Sequence, residues 1–149
     1  MKTKVNYKKY GSFPDMDTVK EIIIYGAENG KDKKQIVFTN FSGEVETKTF
    51  NQTFYDTVGL GQYLYKIGMR GKKVAILSEN SYYWLAAFYS IATAKITAVP
   101  LDPKLTAEEL TDIMVRSGCS GIYYAEEFLP VIEMMKKKRR CCYFGIYLY

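Results

Sequence analysis

Glu108 and Glu109 are the first residues whose types suggest chemistry, as a carboxylate pair for general acid and base work. Adjacent residues on a helix point apart, and Glu109 completes a capping box with Thr106. The pair is therefore read as a helix start. Ser78-Glu79-Asn80-Ser81 is a second candidate. It follows a short apolar run and precedes a helical pattern, which is where α/β proteins put ligands. Capping by Asn80 or Ser81 accounts for the same residue types. Glu79 and Asn80 then remain as contacts for a partner subdomain or a substrate-side loop.

Three glycine-bearing stretches invite a phosphate-binding reading, and none has the required form. Gly59-Leu60-Gly61 lies inside a helical apolar pattern, where small residues permit close helix packing. Gly68-Met69-Arg70-Gly71-Lys72-Lys73 lacks both the spacing and the Ser/Thr of a P-loop, and reads as a helix stop leading into a strand. Ser117-Gly118-Cys119-Ser120-Gly121 sits at a helix C-terminus, the wrong end for an anion.

The chain has no His, which removes the usual metal sites and His-based catalysis. Its 3 Cys include no CxxC spacing and suggest no disulfide framework. Cys119 lacks a His partner for nucleophilic work and reads as a small apolar filler. Cys141-Cys142 adjoins the basic run Lys136–Arg140. Palmitoylation with attraction to anionic lipid is one reading of that tail; a solvated or disordered segment is the other. No residue is assigned a catalytic, cofactor-binding or metal-ligating role.

Length and composition suit a single globular domain of ordinary size. At 149 residues, 48% hydrophobic and 25% charged, the chain can bury a core without disulfides. The net charge of +5 is supplied by the Lys136–Arg140 run, so bulk charge implies no nucleic-acid partner. No apolar run is long enough to span a membrane, and the first residues lack a signal core. A reducing cytoplasm is expected, which leaves the Asn51-Gln52-Thr53 sequon idle. The 14 Tyr suit strands and half-buried surfaces.

The elements that would carry these residues follow from periodicity and caps. Met1–Met16 is a polar lead-in. Thr18-Val19-Lys20-Glu21 is a capping box opening a helix to about Ala27, with Val19, Ile22, Ile23 and Gly26 on one face. Lys34–Asn40 and Glu44–Phe50 form a hairpin across Phe41-Ser42-Gly43. A helix from about Gln52 to Ile67, capped by Thr49 or Asn51, presents Phe54, Val58, Gly61 and Tyr65 with Leu60, Leu64 and Ile67. Then come strand Lys73–Leu77, helix Tyr82–Ala94, strand Ile96–Leu101, helix Thr106–Ser117, strand Ser120–Tyr124 and a last helix from Glu126. This alternation predicts a three-stranded parallel sheet centred on Val74, Ala98 and Ile122, with helices on both faces. The hairpin is added at an edge or folded alongside.

Within that alternation, KVAI, then ENS with a nearby Trp, then AVPLDPKLTAEEL resembles the N-terminal part of the adenylate-forming (AMP-binding) family of acyl-CoA synthetases, luciferases and peptide-synthetase adenylation domains. The likeness runs from about Val19 to about Phe128. It implies the N-terminal lobe of an enzyme that activates a carboxylic acid with ATP and Mg²⁺ and passes it to CoA. In such an enzyme Tyr82, Tyr83 and Trp84 would line an acyl pocket or pack in the core. The family's Ser/Thr/Gly-rich ATP loop, acidic Mg²⁺ ligand, ribose-binding Asp and catalytic Lys match no stretch here.

The expected organisation is thus a lobe over residues 1–135 and a basic, aromatic tail over 136–149, non-native or disordered. A reading-frame slip in the Lys run would explain that tail. The expected function is an N-terminal ligase fragment, inactive alone and without cofactors of its own. The alternative is a catalysis-free binding module. Its partner would be the rest of such an enzyme or a second copy, with the apolar helix Tyr82–Ala94 as an exposed contact patch. A third reading, a lipid- or RNA-binding protein, rests on the Lys136–Arg140 run alone.

Overall fold

The computed structural model describes residues 14–40, 42–138 and 144–148. Helix α1 (Val19–Gly30) begins at the anticipated box: Thr18 Oγ1 accepts from Glu21 N, and the Glu21 carboxylate accepts from the Thr18 amide. Strands β1 (Lys34–Thr39) and β2 (Val45–Thr49) pair antiparallel. Their turn is held by Asn40 Oδ1, which accepts from the amides of Ser42 and Glu44. Thr49, not Asn51, caps α2 (Phe50–Lys66), in a reciprocal box with Gln52.

The alternation then runs β3 (Lys73–Leu77), α3 (Tyr82–Thr93), β4 (Thr97–Pro100), α4 (Ala107–Ser117), β5 (Gly121–Ala125), a 3₁₀ turn at Glu126–Phe128, α5 (Leu129–Lys138) and β6 (Phe144–Leu148). The sheet order is β4-β3-β5-β6, all parallel. It has one strand more than the sequence pattern predicts. The additional strand is Phe144–Leu148, in the tail read as non-native or disordered; Lys136 to Lys138 of the same tail end α5. The lead-in up to residue 13, Phe41 and Cys141-Cys142 lie outside the described residues.

Alternation along β3 sorts the core into two layers. Val74 and Ile76 face one side, with Tyr123, Leu64 of α2 and Ala87 and Ile91 of α3. Ala75 and Leu77 face the other, with Ile122, Leu110 and Met114 of α4 and Ile132 and Met135 of α5. Val74 pairs with Ala98, but Ile122 pairs with Ala75 and belongs to the second layer. Complete burial of Leu64, Ile76, Leu77, Ile91 and Leu110 contributes roughly 1.5–3 kcal/mol for each side chain.

The hairpin forms its own two-stranded sheet and does not extend the parallel one. It is folded alongside, with Phe38 stacked on Tyr82 at 4.9 Å and edge-on to Tyr83. Helix α1 is fixed to α2 by Phe50. A Cβ at Gly30 would lie 2.3 Å from the Phe50 ring, and one at Gly26 3.0 Å from it. Ile22, expected on the buried face of α1, is 48% exposed. The inward row is instead Ile23 with Gly26 and Gly30, because the Phe50 ring fills the space above the two glycines.

Candidate functional site

The carboxyl ends of β3 and β4 enclose a groove of about 430 Å³. Ser78, Glu79, Asn80, Trp84, Asp102 and Lys104 are among its walls. Parallel pairing builds it: Leu101 N donates to Ile76 O at 2.9 Å, carrying β4 past the end of β3. Each chain then turns away. After β3, Ser81 caps α3 by accepting from Trp84 N at 3.2 Å. After β4, Asp102 accepts from Lys104 N at 2.9 Å, and Leu105 N donates to Asp102 O. The strand-ending role of Asp102-Pro103 is thereby a side-chain turn.

Of the two caps left open by sequence, the structure uses Ser81. Glu79 and Asn80 stay exposed on the groove rim, while Ser78 is buried with its hydroxyl donating to Glu79 O. Tyr82, Tyr83 and Trp84, read as one aromatic set, separate. Tyr82 and Tyr83 turn to the hairpin, and Trp84 stacks on Phe88 at 5.5 Å and reaches the groove. The groove thus carries two exposed carboxylates, Glu79 and Asp102, against the single ammonium of Lys104.

The remaining candidates take structural roles. Glu109 accepts from both the amide and the hydroxyl of Thr106, which lowers its pKa below the usual carboxylate value. Gly118 ends α4 in the left-handed region (φ 70°), and Cys119 N donates back to Met114 O. Cys119 is buried against the α4–α5 layer, and burial pushes its thiol up. At Gly68–Lys73 the chain leaves α2 and starts β3, as anticipated, with Met69 N donating to Leu64 O. Gly61 does allow close packing: a Cβ there would meet Ser90 O of α3 at 3.4 Å. Gly59 does not, with nothing within 4 Å.

Helix α3 has no exposed residue, as a helix apolar nearly all round requires; the bare contact patch belonged only to the alternative binding-module reading. Its fully apolar surface is explained by cover from the sheet on one side and α2 on the other. Among the described residues no group of three His, Cys, Asp or Glu could hold a metal ion. No helix among them is long and apolar enough to cross a membrane. Of the basic run, Lys136 pairs with Glu133 at 2.8 Å in the open, an arrangement worth little.

A second feature escapes apolar pattern reading. The most buried row of α2 is Thr53, Thr57 and Gly61, four residues apart, with Leu64 below. Phe54 and Val58, assigned to the buried face, instead line a cavity between α1 and α2, and Tyr65 at its edge is 60% exposed.

The sequence signature of the AMP-binding enzyme family matches residues 25–144. The fatty acid–[acyl-carrier-protein] ligase ScoC of Streptomyces coeruleorubidus is 29% identical over 93 residues, 62% of this chain and 18% of ScoC. The long-chain-fatty-acid–CoA ligase FadD13 of Mycobacterium tuberculosis is 33% identical over 67 residues, 45% of this chain and 13% of FadD13. The chain therefore spans less than a fifth of either relative. In fold it superposes on the N-terminal domain of FACL13 from Mycobacterium tuberculosis with a TM-score of 0.77 and 22% identity, over 88% of this chain and 34% of that domain. The two-layered parallel sheet and its flanking hairpin are those of an acyl-CoA ligase N-terminal domain, and this chain belongs to the AMP-binding enzyme family.

Proposed function

We propose that this chain acts as the leading α/β lobe of an ATP-dependent carboxylic acid–CoA ligase and does not activate acids by itself. The whole enzyme would use ATP, Mg²⁺ and CoA, and the names of the relatives favour a fatty acid as substrate. The partner of the lobe is the rest of such a ligase. A cytoplasmic location is part of the proposal.

The observation that carries the reading is the charge and shape of the β3–β4 groove. A triphosphate needs several convergent cations or a run of backbone amides. This groove sets Glu79 and Asp102 against Lys104, and the α3 amide at Trp84 is already occupied by Ser81. The residues present do not fit ATP. The groove suits instead a polar loop from the rest of the ligase.

Incubating the chain with ATP, Mg²⁺ and a panel of fatty and aromatic acids tests this, with pyrophosphate as the readout. No release above background is expected. Release that scales with enzyme and acid would overturn the proposal.

A further inference from the structure

The connections at the amino end of the parallel sheet concentrate positive charge. Lys66 closes α2, Arg70, Lys72 and Lys73 lead into β3, Lys95 precedes β4, and Arg116 closes α4 ahead of β5. All are exposed, and none makes an ion pair with a described residue. Hydrogen bonds lace the three connections together. Gly71 N donates to Lys95 O at 3.0 Å, Thr97 N to Lys72 O at 3.0 Å and Ser120 N to Lys73 O at 2.8 Å. Adjacent strands lie about 4.8 Å apart, so the starts of β4, β3 and β5 fall within about 10 Å of one another.

No carboxylate relieves this charge from within. Residues 61–78, 80–101 and 113–125, which hold the connections and the strands they feed, contain no Asp or Glu. Lys66 and Arg116 suit the helix C-termini at which they stand. That reason does not reach Arg70, Lys72 or Lys95, which lie outside the helices. Lys95 is moreover held at φ 58°, where glycine is the unstrained choice, and its ammonium makes no ion pair that would offset the cost. A cluster of one sign, left open to solvent, attracts a polyanion.

Two features select among polyanions. The connections expose no large apolar side chain that could enter a bilayer: Ile67 is half-buried, and Met69, Ile96 and Cys119 are buried. An exposed aromatic ring stands beside the cations instead. Tyr65 is 60% exposed, and the Arg70 guanidinium lies 6.0 Å from its centre. Cations that track a phosphate backbone, next to a ring on which a base can stack, are the means by which single strands are held. We propose that the amino end of the sheet binds single-stranded nucleic acid, with phosphates against Arg70, Lys72 and Lys95 and a base stacked on Tyr65. The charge is local, so the balance of the whole chain does not reveal it. The surface lies at the opposite end of the strands from the β3–β4 groove, and the proposal does not rest on the ligase reading.

The test is fluorescence anisotropy of the full chain with labelled oligouridylate and oligothymidylate of about ten nucleotides, the two sugars as separate arms. Thermal melts establish that every variant is folded. Saturable binding of one or both strands is expected, weakening with salt at a logarithmic slope of about −3. The combined variant Arg70→Gln, Lys72→Gln, Lys95→Gln should bind at least about tenfold more weakly and flatten that slope by about 2. Tyr65→Ala should weaken binding about tenfold, and Tyr65→Phe should restore it. A duplex of the same length, whose bases are already stacked, should bind less tightly than either strand. Replacing the run Lys136–Arg140 with glutamine should leave the dependence on Tyr65 in place. No saturable binding of either strand, binding indifferent to Tyr65, or binding that vanishes with the Lys136–Arg140 run alone would each overturn the proposal. So would sedimentation with phosphatidylserine vesicles through the same cations in place of oligonucleotide binding.

Discussion

The Tyr82 hydroxyl donates a hydrogen bond to the Asp56 carboxylate, joining the first residue of α3 to α2 beneath the hairpin. Lys48 of β2 closes the group. Its ammonium lies 3.2 Å from the same Asp56 oxygen and 5.1 Å from the centre of the Tyr82 ring. Three separate elements thus meet through one carboxylate. Tyr82 is buried, whereas the Lys48–Asp56 pair is partly exposed, so the phenol contributes more than the ion pair.

Tyr82→Phe is expected to destabilise the fold by about 1.5 kcal/mol, the usual loss for a hydrogen bond to a charged acceptor. Lys48→Met should cost about 0.5 kcal/mol or less. Urea unfolding of the two variants and their double mutant checks both values. Equal losses for the two would contradict the assignment.

The same phenol makes stability depend on alkaline pH. Burial first, and then Asp56, raise the Tyr82 pKa above the ordinary tyrosine value; burial pushes Tyr123 up to about 12. Both groups are held protonated in the folded state beyond the point at which they ionise in the unfolded chain. Their contribution is complete below about pH 10 and is lost as pH rises through the folded values. The melting temperature should fall above pH 10, with Tyr82→Phe showing the shallower decline. Absorbance of phenolate at alkaline pH, followed alongside the melt, checks that tyrosine ionisation accompanies the loss.

Gly30 has no room for a side chain, since its Cβ would overlap the base of the Phe50 ring. Gly30→Ala should cost about 1–3 kcal/mol through forced movement of Phe50. Adding Phe50→Leu should make the alanine less harmful than it is alone. Chemical denaturation of the four members of the cycle measures that coupling.

Lys95 follows α3 in the left-handed region at φ 58°, the kind of position that Gly118 occupies after α4. Its amide-to-carbonyl contacts are backbone only: Gly71 N donates to Lys95 O. Lys95→Gly should therefore stabilise the chain by about 0.5–1 kcal/mol, the left-handed cost less the entropy of the added glycine. A lower melting temperature for the variant would show that the Lys95 side chain matters in a way this reasoning omits.

Much of the scaffold was legible in the sequence because caps and periodicity agreed. Thr18 with Glu21 and Thr106 with Glu109 marked helix starts, and the apolar runs at Val74–Leu77 and Ile122–Tyr124 marked buried strands. Other features depend on tertiary contacts that no local pattern carries. Thr53 and Thr57 are buried although threonine is not apolar by type, since α3 passes close over them beside Gly61. Ile22 and Ile23 are equally apolar, and only the position of Phe50 and α2 decides which is covered. The parting of Tyr82 from Trp84 likewise depends on where the hairpin lies. The cavity was invisible because its lining comes from three helices distant in sequence.

Equilibrium titration of the 149-residue chain with Mg²⁺-ATP is the most direct test of the account. A lobe whose strand-end groove opposes two carboxylates to one ammonium should show no saturable nucleotide binding, even at millimolar concentration. Stoichiometric, tight binding that is lost on changing Lys104 would contradict it.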